Sequence, residues 1–330
     1  MIKSLFTIML FTASLVKAGP FGTTTTLPET ANTDPLLAGD RKITSLIAAN
    51  INSGNMLDLV TLSHSDDEIM WLDLSNNIPV EHSIIDTIRG PQAIVALNAN
   101  GDNHTDLIVS SRWDASLILL TNDGNGNFSQ STLSTDTDTV TSLTSADLDG
   151  NTHSDLIGIS ERDQEIFWLS QTSAGNFSAK QVLSTLDSTP SKIISADLNN
   201  DSNPDLLVLI NGYIDLYEND GNANFTKTGR LGNGAITSFQ VSDLNEGQPD
   251  IVTCSATLGL AFLLTNDNNG NFSTSLPVST NIAGYNLTGI ADLDCDNQSD
   301  LLFTSFQESS LLWFKGDGSG NFTSQTTTTT

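Results

Sequence analysis

The chain repeats itself about every 48 residues, and that period restricts its fold more than any other feature of the sequence. Six segments start with an aspartate and run on into apolar residues: 58–63, 106–110, 155–160, 205–209, 250–255 and 300–305. Each follows a short apolar stretch and a loop rich in Asn and Asp. The loops open at Asn50, Asn98, Asp147, Asp197, Asp243 and Asp292, successively 48, 49, 50, 46 and 49 residues apart. Periods of 40–50 residues belong to propellers and repeat arrays. The repeats fall near 43–90, 91–139, 140–189, 190–235, 236–284 and 285–330.

Within a repeat the pattern reads as strand throughout, as at 141–148, 156–160, 165–169 and 177–183. Apolar runs of three to five residues alternate with Gly, Asn, Asp and Ser, and no run is long enough for a helix. A second signature closes five of the six units: NDGNGNFS (122–129), TSAGNFS (172–178), NDGNANFT (219–226), NDNNGNFS (266–273) and GDGSGNFT (316–323). Its Asn and Gly residues supply the left-handed backbone of a tight hairpin, and its Phe re-enters the core. Four short strands cannot bury both their faces alone. The units must therefore pack on one another around an axis, which predicts an all-β propeller of about six four-stranded blades.

The Asn/Asp loops have the spacing of a cation site. In 147–155, oxygen-bearing side chains stand at positions 1, 3, 5 and 9 (Asp147, Asp149, Asn151, Asp155), with Gly150 at position 4 to allow a sharp turn. Such a loop wraps its oxygens around one point, as a hard cation with six to eight oxygen ligands requires. The same grid recurs as Asn98, Asn100, Asp102, Asp106; as Asp197, Asn199, Asp201, Asp205; and as Asp292, Asp294, Asp296, Asp300. Calcium is expected at these four loops, because magnesium keeps its water and demands a near-ideal octahedron. The loop at 50–58 has one carboxylate, and the loop at 243–250 is one residue short. Both are expected to hold metal weakly or not at all.

The A-D-L-D-G-N-x-x-x-D-L-I stretch at 146–157, with its five relatives, and L-Y-E-N-D-G-N-A-N-F at 216–225 resemble the FG-GAP repeat of integrin α-subunit propellers. They are closer still to the VCBS repeats of secreted microbial and algal proteins. The resemblance runs over about 43–324. It implies that the loop joins the two inner strands of a blade and holds calcium on one face of the disc. Integrin propellers have seven blades against the six repeats counted here, so seven stays open. Two stretches compete for the outermost strand of the last blade: 21–28, within an N-terminal segment 19–42, and 322–330.

The N-terminus carries a different signal. Lys3 precedes an apolar run at 4–16, and Val16-Lys17-Ala18 offers small residues for cleavage before Gly19, the pattern of a secretory signal peptide over 1–18. The run is shorter than the roughly 20 residues a spanning helix needs, and no later segment is longer. A secreted protein with no membrane span is expected. The formal charge of −27 comes from 31 Asp and 8 Glu against 12 Lys and Arg. That excess argues against nucleic acid or an anionic membrane as partner. Cys254 and Cys295 lie in adjacent repeats, compatible with a bond between blades or with two free thiols. Nine N-x-S/T sequons would be glycosylation acceptors in a eukaryotic secretory host.

No nucleophile elbow, HExxH pair or phosphate loop occurs, and the four histidines are scattered, so no enzyme is expected. The variable loops between second and third strands, on the face opposite the cation loops, carry Trp113 and Tyr213 outside the repeat pattern. Exposed aromatics of this kind stack on sugar rings, anchor a protein partner, or simply pack on a neighbouring blade. The expected function is extracellular recognition of, or adhesion to, a glycan or protein ligand. The alternatives are a structural module of a surface assembly and, third, a carbohydrate- or phosphoester-active enzyme.

Overall fold

A computed structural model of the protein describes residues 43–325, apart from 53, 55–56, 75–78, 246, 280 and 306–309. The leader at 1–18, the 19–42 segment with its candidate closing strand, and the threonine tail lie outside the described residues. The rest is a six-bladed β-propeller, each blade an antiparallel four-stranded meander. Blade 1 is β1 (Ile43–Ala49), β2 (Asp58–Ser63), β3 (Glu68–Asp73) and β4 (Val80–Ile85). Blade 2 is β5 (Pro91–Leu97), β6 (Asp106–Ser111), β7 (Ser116–Asn122) and β8 (Phe128–Ser134). Blade 3 is β9 (Val140–Ala146), β10 (Asp155–Ser160), β11 (Glu165–Leu169) and β14 (Gln181–Thr185), with a small hairpin of β12 (Gln171–Ser173) and β13 (Asn176–Phe177) beside it. Blade 4 is β15 (Pro190–Ala196), β16 (Asp205–Ile210), β17 (Tyr213–Asn219) and β18 (Phe225–Gly232). Blade 5 is β19 (Ser238–Ser242), β20 (Asp250–Ser255), β21 (Leu260–Asn266) and β22 (Phe272–Ser279). Blade 6 is β23 (Asn286–Ala291), β24 (Asp300–Ser305), β25 (Ser310–Gly316) and β26 (Phe322–Ser324).

The second strands read as unbroken apolar runs because both their faces are covered. Side chains alternate across a strand. On β6, Leu107 and Val109 enter a core shared with blade 1, whereas Ile108 enters the core shared with blade 3. On β16, Leu206, Val208 and Ile210 face blade 3, and Leu207 and Leu209 face blade 5. The core is thus a set of wedges between blades. The Phe of each hairpin signature packs against one of them: Phe128, Phe177, Phe225, Phe272 and Phe322.

Four expectations are sharpened. The repeats give six blades, not seven. The last blade takes its fourth strand from Phe322–Ser324, paired with β25, so this stretch fills the slot for which 21–28 competed. In blade 3 the outer strand starts at Gln181 and not at Phe177. There Ser178 N donates to Ser170 O (2.7 Å), Ser170 N donates to the Ser178 hydroxyl (3.0 Å), and the Lys180 ammonium drops onto the buried Glu165 carboxylate (2.7 Å). These contacts draw 178–180 off the ladder. Cys254 is buried and Cys295 exposed, and no disulfide joins them across their blades.

Candidate metal centres and the opposite face

The aspartate that ends each loop (position 9, or 8 in the short loop at 243–250) starts the second strand and is buried in every blade. One of its oxygens accepts the N–H of loop position 2. The other accepts an N–H at or just past the end of the third strand of the same blade. In blade 3, Leu148 N reaches Asp155 Oδ2 at 3.0 Å and Gln171 N reaches Oδ1 at 2.7 Å. Asp58, Asp106, Asp205, Asp250 and Asp300 repeat both bonds. Each carboxylate is therefore a clasp between loop and blade, satisfying two buried donors at once. Burial raises the carboxyls of Asp155 and Asp205 to about 6 against the pull of those N–H donors. The sequence grid assigned this residue to metal alone. Its persistence in the defective loops at 50–58 and 243–250 was the signal for a second role.

The backbone holds the loops open in the way the glycine at position 4 suggested. Position 4 is left-handed even where it is not glycine: Gly101, Gly150, Asn200 (φ 64°) and Cys295 (φ 61°). Position 6 is left-handed too, at Asn103, Thr152, Ser202 and Asn297. Two such turns in succession fold the loop into a cup.

Among the described residues, two loops bring three carboxylates together, each set offering oxygens within 4.8 Å of one another: Asp147, Asp149 and Asp155, and Asp292, Asp294 and Asp300. In the first, Asp147 accepts Asn151 N and Thr152 N, Asp149 accepts Asn151 N and the Ser170 hydroxyl, and Asn151 Oδ1 accepts His153 N. Among the described residues no cationic side chain is ion-paired with this triad. In the second, the Lys315 ammonium binds Asp294 Oδ2 and, at 2.7 Å, Asp296 Oδ2. Among the described residues, Asp294 Oδ1 is buried with no hydrogen-bond partner. Both sets of oxygens suit a hard cation, and the 147–155 loop suits it better because no lysine competes there.

In the other two loops amide groups fill the gaps between carboxylates. Asn100 Nδ2 donates to Asp102 Oδ2 (2.7 Å), while Asn98 Oδ1 accepts Gly101 N (2.8 Å). Asn199 Nδ2 donates to Asp201 Oδ2 (3.2 Å), and Asp197 caps Asn200 N and Ser202 N. Asp197, Asp201 and Asp205 do not converge as the two triads do. At 243–250, the missing residue lets Asn245 Nδ2 reach toward Asp250 (3.4 Å).

The loops are also tied across blades. Asn219 Nδ2 donates to Leu148 O (3.1 Å), 71 residues earlier at position 2 of the preceding blade's loop. Asn122 grips Ile51 O and Asn266 grips Leu198 O in the same way, both at 2.8 Å, and Gln171 grips Ala99 O. Blade 6 has Gly316 at this register, where a Cβ would collide with Ser299 O. At this register, therefore, blade 6 has no side chain to reach the loop of blade 5, although Asn286 Oδ1 elsewhere accepts the Thr237 hydroxyl at 2.9 Å.

In a meander, the first and third connections share one end, and the second connections and blade junctions share the other. The latter face carries Trp113, which is 60% exposed. Tyr213 is half-buried under the Arg230 guanidinium, 5.2 Å from its ring centroid, and thus packs locally. Of the histidines, His64 lies 5.6 Å from the Trp113 ring and His82 stacks on Trp71 at 4.3 Å. Neither pairs with a nucleophile.

Fold and loops together define a six-bladed β-propeller with FG-GAP-like repeats: the profile of that repeat matches residues 98–158 and 147–208, each running from a loop into the next blade. Solved propellers share the architecture at low sequence identity. An Agrocybe aegerita lectin, described as recognising non-reducing terminal N-acetylglucosamine, superposes with a TM-score of 0.65 at 16% identity, over 87% of this chain and 80% of that one. A protein from Lactobacillus plantarum gives 0.56 at 11% identity, over 87% and 82%. BBS1N, solved in complex with ARL6DN, gives 0.53 at 10% identity, over 80% and 76%. No curated protein matches by sequence.

Proposed function

We propose that the protein is a secreted propeller, stiffened by calcium, that recognises a glycan or protein ligand outside the cell. The observation that carries this reading is the convergence of Asp147, Asp149 and Asp155, three carboxylates in one cup with no cationic side chain among the described residues paired to them. Left alone they repel; Ca2+ bound there would supply the charge that cancels that repulsion. Asp147, Asp149, Asn151 and Asp155 would hold it. Asp292, Asp294, Asp296 and Asp300 would hold a second ion if Lys315 swings aside. The loops with Asn98, Asn100, Asp102 and Asp106, and with Asp197, Asn199, Asp201 and Asp205, would bind more weakly, since their amides already bridge the carboxylates.

Several features support export: the leader-like pattern at 1–18, and loops suited to the weak, millimolar-range affinities at which extracellular calcium modules work. Among the described residues no helix is long and apolar enough to cross a membrane. Binding is favoured over catalysis because the loop carboxylates are committed to clasps and cups, and His64 and His82 lie against Trp113 and Trp71. The test has two arms. Expression in a secretory host followed by N-terminal sequencing should find a mature chain starting at Gly19. The purified protein, with calcium, should bind at least one ligand on arrays of extracellular glycans and matrix proteins. Retention in the cell, or silence on both arrays, would overturn the reading.

A further inference from the structure

On the face opposite the cation loops, blades 2, 3 and 4 enclose an open cleft of about 560 Å³. Its walls are Arg112, Trp113 and Ala115 from the β6–β7 turn, Asp138 and Thr139 from the β8–β9 junction, and Glu161 and Arg162 from the β10–β11 turn. Thr189, at the next junction, closes it. The volume is that of a small-molecule site.

The cleft is stiffly built. Arg112 N donates to Gly90 O (3.0 Å), the Ser111 hydroxyl to Arg89 O (2.7 Å), and Glu161 N to Thr139 O (3.0 Å). The indole lies against Gly90, where an added Cβ would fall 2.5 Å from Trp113 Cδ1, so one side of the ring is seated and the rest is left to solvent. Thr139 holds a left-handed backbone (φ 50°), an uncommon state for a β-branched residue, and Gly90 occupies the like junction one blade earlier. Strain of this kind gathers where a wall must keep its shape.

Its charges are equally particular. Among the described basic residues, Arg89, Arg162, Lys180, Lys227, Arg230 and Lys315 each sit against a carboxylate, and Lys192 donates to Phe239 O. Arg112 has neither, and its guanidinium lies 6.0 Å from the Trp113 ring. Arg162 is paired with Asp138 at 2.6 Å. The cleft therefore offers an apolar plate, two guanidinium donors, two carboxylate acceptors and two threonine hydroxyls.

We propose that this cleft binds one pyranose unit of a neutral glycan, its C–H face on Trp113 and its hydroxyls among Arg112, Arg162, Asp138 and Glu161. A sugar hydroxyl both donates and accepts, so it satisfies guanidinium and carboxylate alike. An anionic sugar would meet Glu161 and Asp138 as well as the field of a chain carrying −27. A cationic one would meet Arg112 and Arg162. The proposal rests on the recognition reading only in assuming that the protein binds a ligand, and it assigns that ligand's place and class.

The test is an array of immobilised neutral oligosaccharides (gluco-, manno-, galacto- and N-acetylglucosamine series) beside oligogalacturonate, probed with the full mature chain in calcium. The best oligosaccharide is then titrated by tryptophan fluorescence and calorimetry. Neutral glycans should bind, oligogalacturonate should not, and Trp113→Ala should weaken binding at least tenfold with an unchanged melting temperature. Arg112→Gln should weaken it several-fold with no change in melting. Tyr213→Phe should change nothing. Glycan binding that survives Trp113→Ala overturns the cleft while leaving the recognition reading in place. Binding only to matrix proteins overturns the glycan class, and preference for oligogalacturonate overturns the neutral assignment.

Discussion

Asn219→Ala tests how the propeller holds its blades together. The Asn219 amide is buried and donates to Leu148 O at 3.1 Å and Pro204 O at 3.2 Å, while its oxygen accepts Gly221 N at 3.1 Å. Alanine removes all three bonds. Leu148 O keeps a second donor, Ala223 N at 2.9 Å, so the groups left unmatched are Pro204 O and Gly221 N. At roughly 1 kcal/mol net per bond, with a larger penalty for a buried group left bare, the loss is about 2–4 kcal/mol. For a chain of this size that lowers the melting temperature by roughly 3–6 °C. The assay is denaturant and thermal unfolding, in calcium and in chelator. Asn219→Asp should cost at least as much, because it is isosteric but sets an oxygen against two carbonyls. A change within about 0.5 kcal/mol for either variant, the range of an ordinary surface substitution, would refute the staple.

Further outcomes follow from the loops and the core. Asp250→Asn sets an amide N–H against a clasped backbone N–H and should cost about 2–4 kcal/mol equally with calcium and with chelator. Asp147→Asn should lower stability only when calcium is present, and titration calorimetry of the two variants separates clasp from ligand. Cys295→Gly relieves a left-handed non-glycine residue and should raise stability by about 1 kcal/mol in denaturant melts. Burial lowers the Lys192 ammonium from the usual lysine range to about 8. The folded state therefore resists protonation, so stability should rise between about pH 8 and pH 10 and stay flat below. Lys192→Met should abolish that rise and add about 1–3 kcal/mol at pH 7, less whatever the lost bond to Phe239 O contributes.

Much of this molecule was legible in its sequence, because a repeat multiplies weak local signals. One unbroken apolar run is ambiguous between strand and buried helix; six in register, five of them closed by an N-F hairpin, are not. The runs of β6 and β16 do not alternate with polar residues because neighbouring blades cover both faces, as packing around an axis requires. What stayed hidden depends on contacts distant in sequence. Asn122, Asn219 and Asn266 read as turn residues, and their grip on a carbonyl some 70 residues earlier appears only once the blades are side by side. Gly316 gives no hint in the sequence that it leaves blade 6 without that grip. The grid predicted four equivalent cups. Lys315, 15 residues beyond Asp300, reaches back into one of them across the third strand. Asn100 and Asn199, equal to aspartate in an oxygen count, turn their N–H groups onto the carboxylates they were expected to assist. The Ser178–Lys180 detour in blade 3 likewise depends on Glu165, a partner from another strand.

The central claim is that divalent ions gathered by these cups hold the ring rigid. It is tested most directly by calorimetric melting of the mature chain in millimolar calcium and in chelator, with bound metal counted after dialysis against calcium. The account predicts at least one retained calcium ion per chain, carried by the 147–155 loop, and a higher melting temperature with it; saturation at a hundred times the dissociation constant is worth about 2.7 kcal/mol. No retained calcium, with the same melting temperature in both buffers, would contradict it.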